Sequence, residues 1–521
     1  MTSFSPSASA APPPHATRED SLYRWFFPLL GVASLLISCV ILSVKKQEWA
    51  DEIFSRVELS DRSLPHLMSA LTRLGGAGMP LFSLTAWPWA HLFGLSDLSL
   101  RLYSSAGMCA AFLVLHAALR RRFSARASFL GVAFGFFACL VIIDQNAEAR
   151  GYGLYMLLCA MAIAQLLRIA ETPNPSPRAL ILLALSQAGV VLGHVLGIFF
   201  AGLMVLALLL AELPSRRLRW KVYFCAMAGW MALLPWLPAI RASLAVGKPH
   251  GWIPVPGLGE LLIGVSWWLF AGIYFPLTRG TTAGVVTGWF CAVFCIAGIV
   301  VAGVYALRAA APQRRALYWL GFTLLVAPIA FFVLSHLVTP IWVARYMIPS
   351  SLGMAILAAS WADRNRGTAG VVGIGLSLVL LAMPIATAAL EKCERLDVAR
   401  IDQVAAGRPV VCDWIRDFTV AYRYSAHPDE MQFPLDWPAA LKGPSAAVGA
   451  YHLMVNYRRD GYMSGSIVDV DSILSRSSFL VLDSSETNWF QVEIASDPRF
   501  IWKVLAQIDA KRRMIEVDRR P

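Results

Sequence analysis

Apolar residues in this chain come in blocks of about 20, and that blocking restricts its fold more than any motif does, because a helix needs about that many to cross a bilayer core. Runs of this length, or close to it, lie at 25–44, 102–119, 127–143, 153–167, 179–193, 197–211, 222–240, 284–307, 316–335, 346–362 and 367–390. Hydrophobic residues make up 57% of the chain and charged residues 15%, with a mean hydropathy of +0.58. Soluble domains carry about 25% charged residues. The sequence therefore predicts an α-helical polytopic membrane protein with about eleven transmembrane helices. Residues 1–24, with Pro12, Pro13 and Pro14, read as a flexible cytoplasmic tail. The first apolar run continues to Val44 without a small-residue cleavage site, which argues against a removable signal peptide.

The net charge of +12 is a topology signal rather than a nucleic-acid footprint, because the basic residues cluster between the apolar runs. With the N-terminus in the cytoplasm, the inner loops hold Arg18, Arg24, Arg120, Arg121, Arg122, Arg126, Arg168, Arg178, Arg216, Arg217, Arg219, Lys221, Arg308, Arg314, Arg315, Arg364 and Arg366. These are 17 basic residues in about 64 loop residues, against 11 in about 119 on the other side. An odd number of spans then sends residues 391–521 to the periplasmic side of a bacterial inner membrane. No Asp, Glu, Lys or Arg falls inside the spans so drawn, which disfavours an ion-coupled transporter.

Two outer loops are long. In loop 45–101, Met79–Phe93 reads as an interfacial helix with Trp87 and Trp89 at headgroup depth. Loop 241–283, with Trp252, Trp267, Trp268, Tyr274 and several prolines, reads as an interfacial or re-entrant lid. Beyond residue 390 the composition changes to 17 basic and 19 acidic residues, with strand-like runs at Pro409–Trp414, Phe479–Ser484 and Met514–Val517. A small soluble α/β or α+β domain follows from this pattern. Seven of the nine cysteines lie in spans; Cys393 and Cys412 share the outer domain, where an oxidising compartment would permit a disulfide.

Charged residues at the outer face are the candidates for chemistry. Asp51 and Glu52 follow the first span by a few residues, where a carboxylate could take a proton from an incoming hydroxyl or amine. They fit equally well as acids in the first turn of a helix. Arg150, with Tyr152 two residues on, breaks the positive-inside trend and suits a phosphate; a Glu148–Arg150 loop pair is the plainer alternative. Arg345 and Tyr346 enter a later span directly, near His336. Lys248 and His250 are further candidates, and each of these cations also reads as an interfacial anchor. Glu260 would be a lid residue. His194, His250, His336 and His427 are isolated, without metal-ligand spacing, and no phosphate-cradling glycine loop is present.

Taken in order, these segments resemble the GT-C glycosyltransferases, specifically the bacterial branch similar to protein mannosyltransferases and the aminoarabinose transferase of lipid A. Trp49-Ala50-Asp51-Glu52 looks like the family's W-x-D-E after the first span. Pro80-Leu81-Phe82, Leu92-Phe93-Gly94-Leu95-Ser96-Asp97 and Leu100-Arg101-Leu102 follow its P-P-L-Y, L-F-G-x-S-E and R-L stretch. Glu148-Ala149-Arg150-Gly151-Tyr152 is similar to its E-A-R-x-Y, and Arg345-Tyr346-Met347-Ile348-Pro349 to its R-Y-x-x-P. The likeness covers residues 25–362. Gly78-Met79 stands where the family often has His or Lys before a Pro-Pro pair, which removes a polar group from the acceptor or phosphate region.

The resemblance implies a hexosyl- or pentosyltransferase that passes sugar from a polyprenyl-phosphate donor to a cell-envelope acceptor (lipid, glycan or protein) with inversion. It makes Asp51 the base or acceptor-orienting carboxylate, with Glu52 in support. Arg150, Tyr152, Arg345 and Tyr346 would hold the donor phosphate, and Lys248 and His250 would add to it. Some relatives use a divalent metal; the sequence gives no cofactor signal. A lipid-linked-sugar flippase or other transporter and a catalytically lapsed scaffold with a periplasmic binding domain are the competing readings; the sequence shows neither the repeated halves nor the polar span residues expected of a transporter.

Overall fold

The computed structural model of the protein describes residues 21–73, 78–215, 218–245, 253–261, 281–309, 312–365, 370–442, 445–484 and 489–520. The described residues of all eleven predicted apolar segments are mainly helical, with breaks in some of them. The helices that matter below are α1 (Phe27–Lys45), α2 (Ala50–Leu59), α3 (Leu64–Leu71), α4 (Pro80–Phe93), α5 (Asp97–Leu119), α6 (Ala125–Phe137), α7 (Leu140–Asn146), α8 (Tyr152–Glu171), α9 (Pro177–Gly193) and α10 (Gly197–Glu212). Further on come α11 (Trp220–Trp230), α12 (Leu237–Ala245), α13 (Thr282–Arg308), α14 (Pro312–Leu325), α15 (Ala327–Leu337), α16 (Ser350–Arg364) and α17 (Gly370–Leu390).

By length and composition six described helical segments can cross a membrane, and eight can if two bent pairs each count as one span. The pairs are α6 with α7, bent by 74°, and α14 with α15, bent by 42°. The chain is thus a multi-pass membrane protein. Serines and prolines set the helix starts: Ser96, Ser124 and Ser176 each accept an amide of the first turn, and Pro80 and Pro177 open α4 and α9. Gly94, at φ +83°, ends α4 in a conformation that side chains resist. That helix is the one expected at the interface.

Helix α5 packs on α8, α6 on α16, and α1 on α17. The α5–α8 crossing needs glycine: a Cβ on Gly153 would sit 1.8 Å from the carbonyl oxygen of Ser104, and one on Gly107 2.5 Å from the Gly153 backbone. This close crossing fixes the start of α8, and with it the segment Glu148–Tyr152.

The C-terminal part holds a six-stranded sheet of β1 (Val410–Val411), β2 (Met431–Leu435), β3 (Ile467–Asp469), β4 (Ser478–Ser484), β5 (Phe500–Gln507) and β6 (Arg512–Arg519), in the order β3-β2-β1-β4-β6-β5. The first four strands pair in parallel; β6 and β5 add antiparallel. β2 is buried throughout, as an interior parallel strand should be. Helices α18 (Val398–Ala405), α19 (Ile415–Tyr424) and α21 (Ser445–Arg459) accompany it; α20 is Trp437–Lys442. Cys393 and Cys412, the pair an oxidising compartment would permit to bond, are both free thiols; Cys412 is buried beside β1.

The sheet unit shares a hydrophobic cluster with loop 45–101. Ile53, Phe54, Leu67 and Met79 lie in one apolar core with Ile401, Phe418, Phe433, Met454 and Tyr457. Loop 45–101 and the C-terminal unit therefore occupy the same end of the helix bundle.

Candidate active site

Four residues separate α1 from α2, so α2 begins close to the end of the first span. Trp49 is its extended N-cap, and Asp51 and Glu52 occupy its first turn, where the helix dipole favours acids. The two carboxylates then diverge. Glu52 is fully buried and meets Arg101, also fully buried, through two parallel contacts of 2.9 Å. Its Oε1 also accepts the Ala149 amide at 2.8 Å and its Oε2 the Trp49 amide at 3.3 Å. Arg101 in turn donates to the Lys46 carbonyl at 2.9 Å.

With both oxygens so occupied, Glu52 holds the start of α2 to α5 and to residue 149. These contacts are consistent with the supporting part that the resemblance implies for Glu52 beside Asp51. Arg101 lies one turn inside α5, so the helices do carry a charge that the shorter spans excluded.

The segment Glu148–Arg150 lies along residues 46–55. The Glu148 carboxylate pairs with Lys46 at 2.8 Å instead of with Arg150. Burial and the nearby carboxylates of Asp144 and Glu52 raise its pKa, while Lys46 opposes them. Arg150 Nη1 donates to the Asp51 carbonyl at 3.0 Å and to Ser55 Oγ at 3.1 Å. Ala149 and Arg150 thus bind α2 directly, while Glu148 holds Lys46 just before it.

Asp51 keeps its carboxylate about a third exposed. Its Oδ2 lies 3.5 Å from Arg345 Nη2 and 3.9 Å from Arg150 Nη2. Arg345 comes from a 3-10 turn, Ala344–Met347, just before α16, and sits over the rings of Trp49 and Tyr346. One carboxylate and two guanidiniums from three distant segments therefore converge.

An aromatic wall flanks them. His194, in the break between α9 and α10, stacks on Tyr155 at 4.9 Å and adjoins Tyr152 at 5.5 Å and Tyr346 at 5.6 Å. Its Nδ1 accepts the Leu196 amide at 3.1 Å. Burial, with the positive charges of Arg150 and Arg345, pushes its imidazole down to about 3. Tyr152 is buried in this wall.

Polar contacts from the C-terminal unit clamp the same helix. Glu48 pairs with Arg56 at 2.5 and 2.6 Å, and Arg56 reaches Asp97 at 2.7 Å. Arg423 and Tyr424 of α19 meet Asp97 at 2.8 and 2.6 Å, and the Glu48 amide donates to Tyr424 Oη at 2.8 Å. Further along α2, Tyr457 donates to Glu58 at 2.6 Å, and Tyr462 to Asp61 just beyond it at 2.6 Å.

Asp51, Arg150, Tyr152, Arg345 and Tyr346 are thus brought together. Lys248 and His250 lie outside the described residues, as do Trp252, Trp267, Trp268 and Tyr274. Glu260 accepts the Gly257 amide at 2.8 Å, a local helix-start contact, and His336 turns to the Phe332 carbonyl at 2.9 Å within its own helix. Reasoning from sequence missed His194, Ser55 and the clamp residues Arg423, Tyr424 and Tyr457. The sequence signal for His194 is its place in the short Gly193–Gly197 connection between two apolar runs.

No protein-family model and no curated protein matches the chain. Solved structures do. The archaeal oligosaccharyltransferase AglB from Archaeoglobus fulgidus, in complex with an inhibitory peptide and a dolichol-phosphate, superposes with a TM-score of 0.50 at 11% identity, covering 88% of this chain and 70% of that one. The chain has the GT-C fold. Other solved structures matching this GT-C-fold chain are ArnT from Cupriavidus metallidurans bound to undecaprenyl phosphate, with a TM-score of 0.43, 15% identity and coverage of 94% and 97%. The arabinofuranosyltransferase AftD from Mycobacteria matches with a TM-score of 0.48 at 14% identity, covering 95% of this chain and 40% of that one.

Proposed function

We propose that this protein is a membrane glycosyltransferase that moves a sugar from a polyprenyl-phosphate donor to a cell-envelope acceptor, with inversion. One observation carries the reading: Asp51 Oδ2 lies within 3.5 Å of Arg345 and 3.9 Å of Arg150. The acceptor hydroxyl or amine gives its proton to Asp51 as its heteroatom bonds the anomeric carbon. The bond from that carbon to the phosphate oxygen breaks, and the lipid phosphate leaves with the electron pair. The leaving phosphate gains negative charge as this happens, and the two guanidiniums meet it. One carboxylate suffices for a single displacement, hence inversion. Glu52, sealed against Arg101, orients the helix that carries Asp51.

The dolichol-phosphate named for AglB supports a polyprenyl-phosphate carrier. The charge bias of the loops supports an inner-membrane location, with the N-terminus cytoplasmic and residues 391–521 forming a periplasmic domain. The test is reconstitution into liposomes with radiolabelled polyprenyl-phosphate sugars and envelope acceptors. Label moving to an acceptor supports the proposal. Intact labelled lipid crossing the bilayer, with none consumed, would make the protein a transporter.

A further inference from the structure

We propose that His194 is a third ligand of the carrier phosphate, donating from Nε2–H while remaining uncharged. The inference rests on the phosphate reading above and adds a residue and a protonation state to it.

The tautomer follows from the backbone. Nδ1 accepts the Leu196 amide at 3.1 Å, so the single proton of a neutral ring is on Nε2. Among the described residues Nε2 has no partner. The residue is half-buried rather than sealed in the core. Tyr155 and Tyr152 from α8 and Tyr346 from the turn before α16 fix its plane. Arg150 and Arg345 are the charged groups that act on it, and both oppose a third positive charge.

A neutral donor suits the chemistry. The carrier phosphate goes from one negative charge as a diester to nearly two as a monoester, and two arginines already balance that product. A third cation would hold the spent carrier tightly and slow its exchange. A neutral N–H adds direction without adding charge.

The two amide side chains separate the roles of the ring nitrogens. Asn places an acceptor near the Nδ1 position and keeps the Leu196 contact, but lacks a donor at the far edge. Gln places its amide nitrogen near Nε2. The experiment titrates undecaprenyl phosphate into the purified full-length protein in detergent, read by tryptophan fluorescence, with thermal unfolding confirming that each variant folds.

His194→Asn is expected to weaken binding about tenfold and His194→Gln no more than about threefold. The ratio of wild-type to His194→Asn affinity should hold constant between about pH 8 and pH 5.5, because the ring stays neutral there and the phosphate titrates alike in both. Wild-type-like binding by His194→Asn, with Arg345→Gln weakened, would overturn this inference and leave the phosphate reading standing. A ratio that rises on acidification would overturn it too, since that marks a cationic ligand. A wild type that does not bind the lipid phosphate would remove the phosphate reading itself.

Discussion

Arg345 Nη2 lies 3.5 Å from Asp51 Oδ2, joining the turn before α16 to the first turn of α2. The pair is loose enough to open for a phosphate and close enough to place that phosphate beside the carboxylate. Arg345→Gln is expected to lower sugar transfer by about 10²–10³-fold with the fold retained. Arg345→Lys should recover little of this, because a point charge neither stacks on Trp49 nor offers a planar fork. Steady-state transfer rates for both variants, with thermal unfolding as a control, check this.

Glu52 and Asp51 are neighbours with opposite expected phenotypes. Glu52→Gln leaves the fully buried Arg101 without a charged partner and should cost about 3–5 kcal/mol of stability. Asp51→Asn, at a carboxylate about a third exposed, should leave thermal unfolding near that of the wild type. Denaturation of the two variants in the same detergent distinguishes a positioning carboxylate from a reacting one.

The C-terminal unit should matter to activity although it adds no group to the reaction. Arg423→Gln loosens Asp97 at the start of α5 and Glu48 in the connection before α2, and Tyr457→Phe frees Glu58 on α2. Each is expected to cost about 1–2 kcal/mol. Together they should increase protease cleavage around residue 395 and lower transfer, while undecaprenyl phosphate binding stays within about twofold. Limited proteolysis paired with the binding titration measures both.

His194 also makes a stability prediction. Its pKa falls from about 6.5 in the unfolded chain to about 3 in the fold. Between those values the unfolded state binds more protons, so stability rises with pH across that window. The contribution is fully present above about pH 6.5 and is lost as acid protonates the unfolded ring. His194→Gln should therefore flatten the loss of thermal stability between about pH 6.5 and 4, measured by unfolding at several pH values.

The helices were legible because bilayer thickness dictates their length and their basic flanks dictate their ends. Strands β1, β4 and β6 were legible as short apolar runs. β2 was not, because Pro434 reads as a loop signal yet pairs with Val468 inside the parallel ladder. Exposed β5 lacks the alternation of a half-buried strand.

At the site, Asp51, Arg150 and Arg345 stood out as charges at one face, but their convergence depends on packing that brings three segments together. The separation of Asp51 from Glu52 also needed the structure. Adjacent acids in one helical turn look alike until one is seen sealed against a buried arginine. His194 carried no spacing pattern at all; only the amide at Nδ1 and the surrounding rings give it meaning.

The most direct test is transfer from a radiolabelled polyprenyl-phosphate sugar by Asp51→Asn and wild type, reconstituted side by side at equal amounts. The account predicts a loss of about 10²–10⁴-fold in transfer, with undecaprenyl phosphate binding and thermal unfolding close to wild type. Transfer at the wild-type rate by Asp51→Asn would contradict it.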